Sequence, residues 1–444
     1  MLPSNGAFRF QFCSDEDDEP ANIQVDPTNP LEIIGGSYDV PAGLTRSEGF
    51  VSWLCQRAFL KLWTHPSPVG KKGKELCDCL VVCDVHVVII SVKEIEYRDT
   101  GDKVGWERWY NAAIAESAQQ IWGAERWLRT VDRFQRSDGR EIALAPERQR
   151  KYHRISVSLG GRGEVPLRWG DLGKGFVHVL DEHSLTEAFR ELSTITDFVS
   201  YLSAAESLFE RGIRPLFAGG GAEDLLALYV RNGVNFGLVG QDEAVPDTAI
   251  ITGGIWNALV ASAEYLERNK DLESSYAWDR LIDYYAEDLL TDGMFDMHSR
   301  EVTKNELALI AMALQPRGHR ANLADEFLAF LGPNGANIAS RAVVAANATA
   351  FVFLSGESSD REFRAHELAL RCLVVRGRCP NITTVVGIAT DKPKESKRGH
   401  SSDIAYITCR SGRRAMQGRS MAYNVTWDTL RTRGGRVSAQ SLNF

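Results

Sequence analysis

The stretch Gly73–Glu94, GKELCDCLVVCDVHVVIISVKE, decides how the chain is read. It predicts two strands joined by a tight turn at Asp84–His86. In the first, Cys77, Cys79, Val81 and Cys83 alternate with Asp78, Leu80 and Val82, which assigns the two sets to opposite faces. The second, Val87–Val92, is almost wholly apolar and β-branched, the pattern of a strand covered on both sides. Ser91 and Lys93 interrupt its far end on a shared face. An antiparallel pair centred on the turn brings Lys93 back near Asp78. A carboxylate and an ammonium at the end of so apolar a hairpin are costly to bury without partners or a purpose.

Outward from the hairpin, the sequence expects a helix beginning at Ser47. Thr45 or Ser47 is its N-cap, Glu48 lies in its first turn, and Phe50, Val51, Leu54, Ala58 and Leu62 form its apolar stripe. Pro66 and Pro68 end it. On the other side, Gly105–Thr130 is the longest helical stretch. Trp109, Ala113, Glu116 and Gln120 make one stripe, and Tyr110, Ile114, Ala118, Ile121 and Trp122 its neighbour.

An acid opening one strand and a lysine closing the next resemble the signature of the PD-(D/E)xK nuclease superfamily, the restriction-endonuclease-like fold. Asp78 stands at the first position and Lys93 at the last. The chain departs in the middle, where Ser91 replaces the acid. The resemblance covers about residues 46–130. It implies a central mixed sheet flanked by helices, Mg²⁺ or Mn²⁺ as cofactor, and cleavage of phosphodiester bonds in DNA, with RNA as the lesser expectation. It also implies a role in restriction or antiphage defence. The implied catalytic residues are Glu48, Asp78, Lys93 and Gln120 (or Gln119). Asp78, Glu48 and Glu75 are the expected metal ligands, and Glu116 is a further candidate for the acid that Ser91 lacks. Each has a plainer reading: Glu48 as a dipole-stabilising acid, the glutamines as helix surface. A nuclease fold that binds nucleic acid or a protein partner without cutting is the alternative, favoured by Ser91.

The totals bound these expectations. At 444 residues the chain is long enough for more than one core. We expect an arm over 1–45, a nuclease-like domain over 46–235, and a helical, then α/β region over 236–444. No apolar run approaches the ~20 residues of a membrane span. The first twenty residues do not read as a secretory signal, and the eight scattered cysteines read as reduced thiols, so a cytoplasmic protein is expected. A formal charge of −8 argues against a generic polyanion binder. The segment Asp391–Phe444 nevertheless carries eleven Lys or Arg against four acids, a local +7. Within it Arg410, Arg413 and Arg414 are the candidate nucleic-acid contacts. The basic link Leu314–Arg320 is read either as a nucleic-acid contact or as a helix cap.

Other chemistries find no support. The nine histidines are dispersed and no Cys-x2-Cys pair occurs, so a structural zinc is not expected. There is no nucleophile elbow, phosphate-binding P-loop or dinucleotide fingerprint. The three glycines Gly219–Gly221 before a helix are read as a plain turn, since no Lys-Ser/Thr follows them.

Overall fold

Val87–Ile90 and Val92 each gain roughly 1.5–3 kcal/mol on full burial, far more than local propensities can oppose. The architecture follows from covering that strand twice. The computed structural model describes residues 24–26, 29–34, 40, 42–98, 103–161, 170–236, 248–291, 302–331, 338–356, 361–391 and 402–408. A short antiparallel pair, β1 (Gln24–Asp26) and β2 (Asn29–Ile34), precedes α1 (Arg46–Phe59). Next come β3 (Thr64–Pro66), β4 (Cys79–Cys83) and β5 (His86–Glu94). The long helical stretch is α2 (Lys103–Tyr110), a wide π turn over Asn111–Ala115, and α3 (Glu116–Leu128). A small hairpin, β6 (Arg133–Gln135) and β7 (Glu141–Ala143), leads to β8 (Lys151–Leu159), β9 (Gly170–Asp171) and β10 (Phe176–Leu180).

The central sheet runs β3-β4-β5-β8-β10-β9. β5, β8 and β10 are parallel and the remaining neighbours antiparallel, so the sheet is mixed and flanked by helices. Cys79, Val81, Cys83, Val88, Ile90 and Val92 pack with α1 in one core, and Leu80, Val82, Val87 and Ile89 pack with α3 in another. Cys77 departs from the expected alternation. It lies before β4 begins and joins the α3 side.

The chain continues with α4 (Glu182–Glu191), α5 (Ile195–Glu210), β11 (Arg214–Ala218), α6 (Ala222–Arg231) and β12 (Thr248–Thr252), β11 and β12 forming a parallel pair. The cap of α4 is Asp181. The Asp181 carboxylate accepts the Ser184 amide, and the Ser184 hydroxyl accepts the Asp181 amide, so Ser184 occupies the third helical position. The triple glycine is the plain turn expected, closed by Asp224, whose carboxylate accepts Gly221 N–H at 3.1 Å and Trp256 N–H at 2.9 Å.

Helices α7 (Ile255–Val260), α8 (Ala263–Leu272), α9 (Ser275–Thr291), α10 (Lys304–Ala313) and α11 (Arg317–Leu331) follow. Ser262 caps α8 and separates it from α7. A second sheet, β13 (Ala339–Val344), β14 (Thr349–Gly356), β15 (Thr384–Asp391) and β16 (Ser402–Thr408), has α12 (Arg361–Arg378) as its crossover between parallel β14 and β15. One face of this sheet takes α12 so closely that a Cβ on Gly387 would meet Cys372 Sγ at 2.7 Å. The other face supplies Phe351, Phe353, Val386 and Ile388 to the core shared with α1, α5, α9 and α10. Trp278 of α9 meets Phe351 edge-on, ring centres 5.1 Å apart.

The link Leu314–Arg320 serves the fold. Arg320 is 2% and Arg317 6% exposed, and both guanidiniums bond the Asp279 carboxylate at 2.5 Å. Burial alone would raise the Asp279 pKa, but the two arginines outweigh it and hold the carboxyl below its usual range. Removing the acid strands two buried cations. We predict that Asp279→Ala costs about 3–5 kcal/mol in equilibrium urea unfolding; a loss below about 1 kcal/mol would show the network to be dispensable.

Candidate active site

Asp78 directly precedes β4, and the hairpin register continues one step beyond the Cys79–Ile90 pair to set it opposite Ser91. The side chain is only 4% exposed. Its Oδ2 accepts the Val92 backbone N–H at 2.5 Å and its Oδ1 accepts Gln120 Nε2 at 3.4 Å. Gln120 Oε1 in turn accepts the Ser91 hydroxyl at 2.9 Å. Ser117, one turn earlier on α3, donates to the Ser91 carbonyl at 3.5 Å. The π turn lies above this polar strip, where the Ala113 carbonyl accepts Ser158 Oγ at 3.4 Å. Such wide turns frequently occur at functional sites. Helix α3 is thus fixed over the end of β5 by side chains that sequence alone marks as ordinary serines.

Three carboxylates and one ammonium share the field at this corner. Burial, above all, pushes the Asp78 carboxyl above its usual range, and Glu48 adds to the shift. The Val92 amide, Lys93 and Ser91 pull the other way without overcoming it. Glu75 is raised as well, first by burial and then by Asp78 and Glu48, against a bond from Ser67 and the charge of Lys93. The corner therefore lacks positive charge. Lys93 is half-buried, and no carboxylate among the described residues comes within ion-pair distance of it. A closed Asp78–Lys93 ion pair does not form.

Glu48 has both roles read for it. Its Oε2 accepts the Thr45 amide at 2.8 Å while Thr45 Oγ1 accepts the Glu48 amide at 3.3 Å, a capping box, and its charge still reaches Asp78 and Glu75. Gln120 joins the cluster. Gln119 does not: it is exposed and accepts Lys174 Nζ at 3.3 Å. Glu116 is exposed too, and none of the larger influences on Asp78 or Glu75 comes from it. Arg410, Arg413 and Arg414 lie outside the described residues.

Sequence reasoning missed a row of histidines. His86 Nδ1 lies 3.3 Å from His153 Nε2, and His178 Nε2 lies 3.1 Å from Glu206 Oε1. His153 pairs in register with Val88, so the row occupies the α1 side, away from Asp78. Burial lowers His153 to about 3 and His86 to about 4, which leaves both neutral at pH 7. Only strand pairing brings residues 67 positions apart together, so no local signal marks them.

Among the described residues, no three His, Cys, Asp or Glu side chains converge tightly enough to hold a metal ion as they stand. The donor chemistry at the corner still suits a hard cation, since carboxylates that raise one another's pKa gain from added positive charge. Comparison with protein-family models, curated proteins and solved structures finds no match.

The electrostatics yield a stability prediction. A carboxyl whose folded pKa is raised binds its proton more tightly folded than unfolded, so stability falls as pH rises through the window above its ordinary value of 3.8. Asp78→Asn removes that loss, and the Gln120 amide can flip to accept from the new Nδ2. We predict that Asp78→Asn melts higher than the unaltered protein at pH 7, with the difference shrinking toward pH 4. A lower melting temperature across the whole range would contradict this account of the corner.

Proposed function

We propose that the chain is a divergent restriction-endonuclease-like protein that hydrolyses phosphodiester bonds with Mg²⁺ or Mn²⁺. DNA is the substrate before RNA, and restriction or antiphage defence the setting. One arrangement carries this reading: Asp78, bridged to Ser91 through Gln120, stands with Glu48, Glu75 and Lys93 at one end of the central hairpin, short of positive charge. Asp78 and Glu75 would hold the cation, with Glu48 contributing charge from its cap and the carbonyl beside Lys93 a further oxygen. A bound divalent cation supplies Lewis acidity toward a phosphate oxygen and lowers the pKa of a water. Lys93, in no ion pair among the described residues, offers its ammonium to charge developing on the phosphate. Gln120 orients Asp78 and holds Ser91 in place of the missing acid.

A binding protein of the same fold is the second reading, favoured by Ser91 and by the hydrogen bonds that already occupy both Asp78 oxygens. Two measurements separate them. Calorimetric titration with Mg²⁺ or Mn²⁺ should give binding to the unaltered protein and none to Asp78→Asn. Cleavage of DNA should fall at least ~100-fold in that variant, the several kcal/mol a cation supplies, while Ser91→Ala loses less than about tenfold. Absence of metal binding in both proteins would leave only the binding reading.

A further inference from the structure

Between β3 and β4 the chain makes a second hairpin whose tip is Gly70-Lys-Lys-Gly-Lys74, four residues before Asp78. It is built by backbone bonds: Leu76 N–H donates to the Pro68 carbonyl at 2.8 Å, Gly70 N–H to Lys74 at 2.7 Å, and Lys74 N–H to Lys71 at 3.4 Å. Val69 N–H ties the tip to Gln135 of β6 at 2.7 Å. The turn holds Lys72 at φ +61° beside Gly73 at +73°. Glycine adopts that left-handed backbone freely, but a residue carrying a Cβ, such as lysine, rarely does. Side chains of Lys71, Lys72 and Lys74 are all exposed, and among the described residues none has an ion-pair or hydrogen-bond partner.

The adjoining β6–β7 hairpin treats its cations differently. Arg133 pairs with Glu141 at 2.7 Å, and Arg136 and Arg140 pair with Asp138 at 3.3 and 3.7 Å. Two neighbouring hairpins thus carry three cations each, one set neutralised and the other not. In a protein of net charge −8, an unneutralised trio whose last member is four residues from Asp78 is suited to an anion from outside. Four extended residues span about 13 Å, roughly four base-pair steps at about 3.4 Å per step.

We propose that Lys71, Lys72 and Lys74 grip the phosphate backbone of a nucleic acid and hold it across the Asp78 corner. The ligand class rests on the nuclease reading of that corner; the lysine geometry does not. The strand polyphosphate is the shared chemistry of duplex DNA, single-stranded DNA and RNA, and the three are compared directly.

The test uses the full-length protein in EDTA, so that binding is read without cleavage. Labelled duplex DNA, single-stranded DNA and single-stranded RNA of one sequence are titrated between about 50 and 200 mM salt. Each neutralised phosphate adds about 0.9 to the slope of log affinity against log salt on duplex, and about 0.7 on single strands. The variant Lys71→Gln/Lys72→Gln/Lys74→Gln should lower the slope by about 2–3 on the preferred probe. Single variants should each lower it by about one, which keeps the test readable if the triple variant is destabilised. An unchanged slope in the triple variant, or no binding of any probe by the unaltered protein at the lowest salt, overturns the proposal. Slope loss as expected, but no cleavage by the unaltered protein with Mg²⁺ or Mn²⁺, upholds the lysine tip and overturns the nuclease reading alone.

Discussion

A strand with apolar side chains on both faces has to be covered twice, and β5 is that strand. Its six residues Val87–Val92 are all buried, with α1 and its neighbours on one side and α3 on the other. Because β5 pairs with antiparallel β4 and parallel β8, two connections of different kinds meet there. The tight turn returns β4 beside it, and the long α2–α3 crossover returns β8. The crossover lays its helix across the sheet face that carries Asp78, Ser91 and Lys93. The polar corner is therefore a consequence of covering β5, at the one end where the apolar pattern stops.

That corner works against the stability of the fold. Desolvation raises the Asp78 and Glu75 carboxyls, and the partners they find do not bring them back to their ordinary range. Compare Asp279, buried in the helical layer, where two guanidiniums more than compensate and the carboxyl is held low. Likewise Arg364 of α12, 1% exposed, is set between Asp391 and Asp403 of the second sheet. The charges of Asp279 and Arg364 are neutralised in place, while those around Asp78 and on the Lys71–Lys74 tip are not. Groups that a fold leaves unneutralised are where an external charged ligand has most to gain.

Much of this was legible in the sequence because it depends on local periodicity. The hairpin, the helix with Thr45 and Glu48 at its start, and the long helical stretch after the hairpin all follow from alternation or from three- and four-residue spacing. Short edge elements such as β3, β9 and β11 were not, since two to five residues give too little pattern to outweigh the surrounding glycines and prolines. The second sheet was visible as strand-like runs, but the burial of one of its faces against α9 and α10 was not.

For the site, the sequence by itself determined which residue types end the hairpin: an acid before β4, a serine and a lysine closing β5, a glutamine on the following helix. Their spacing along two strands and one helix is local, so their approach could be anticipated. Tertiary structure alone decided the rest. Gln120, and not Gln119, turns inward, because the π turn and the Ser117 and Ser91 contacts fix the rotation of α3. Arg317 and Arg320 are buried structural cations, because α9 brings Asp279 to them across some forty residues. Lys71, Lys72 and Lys74 stay unneutralised, because among the described residues no carboxylate comes within ion-pair distance of them. Whether a charge is neutralised depends on which distant side chain reaches it, and chain order does not carry that information.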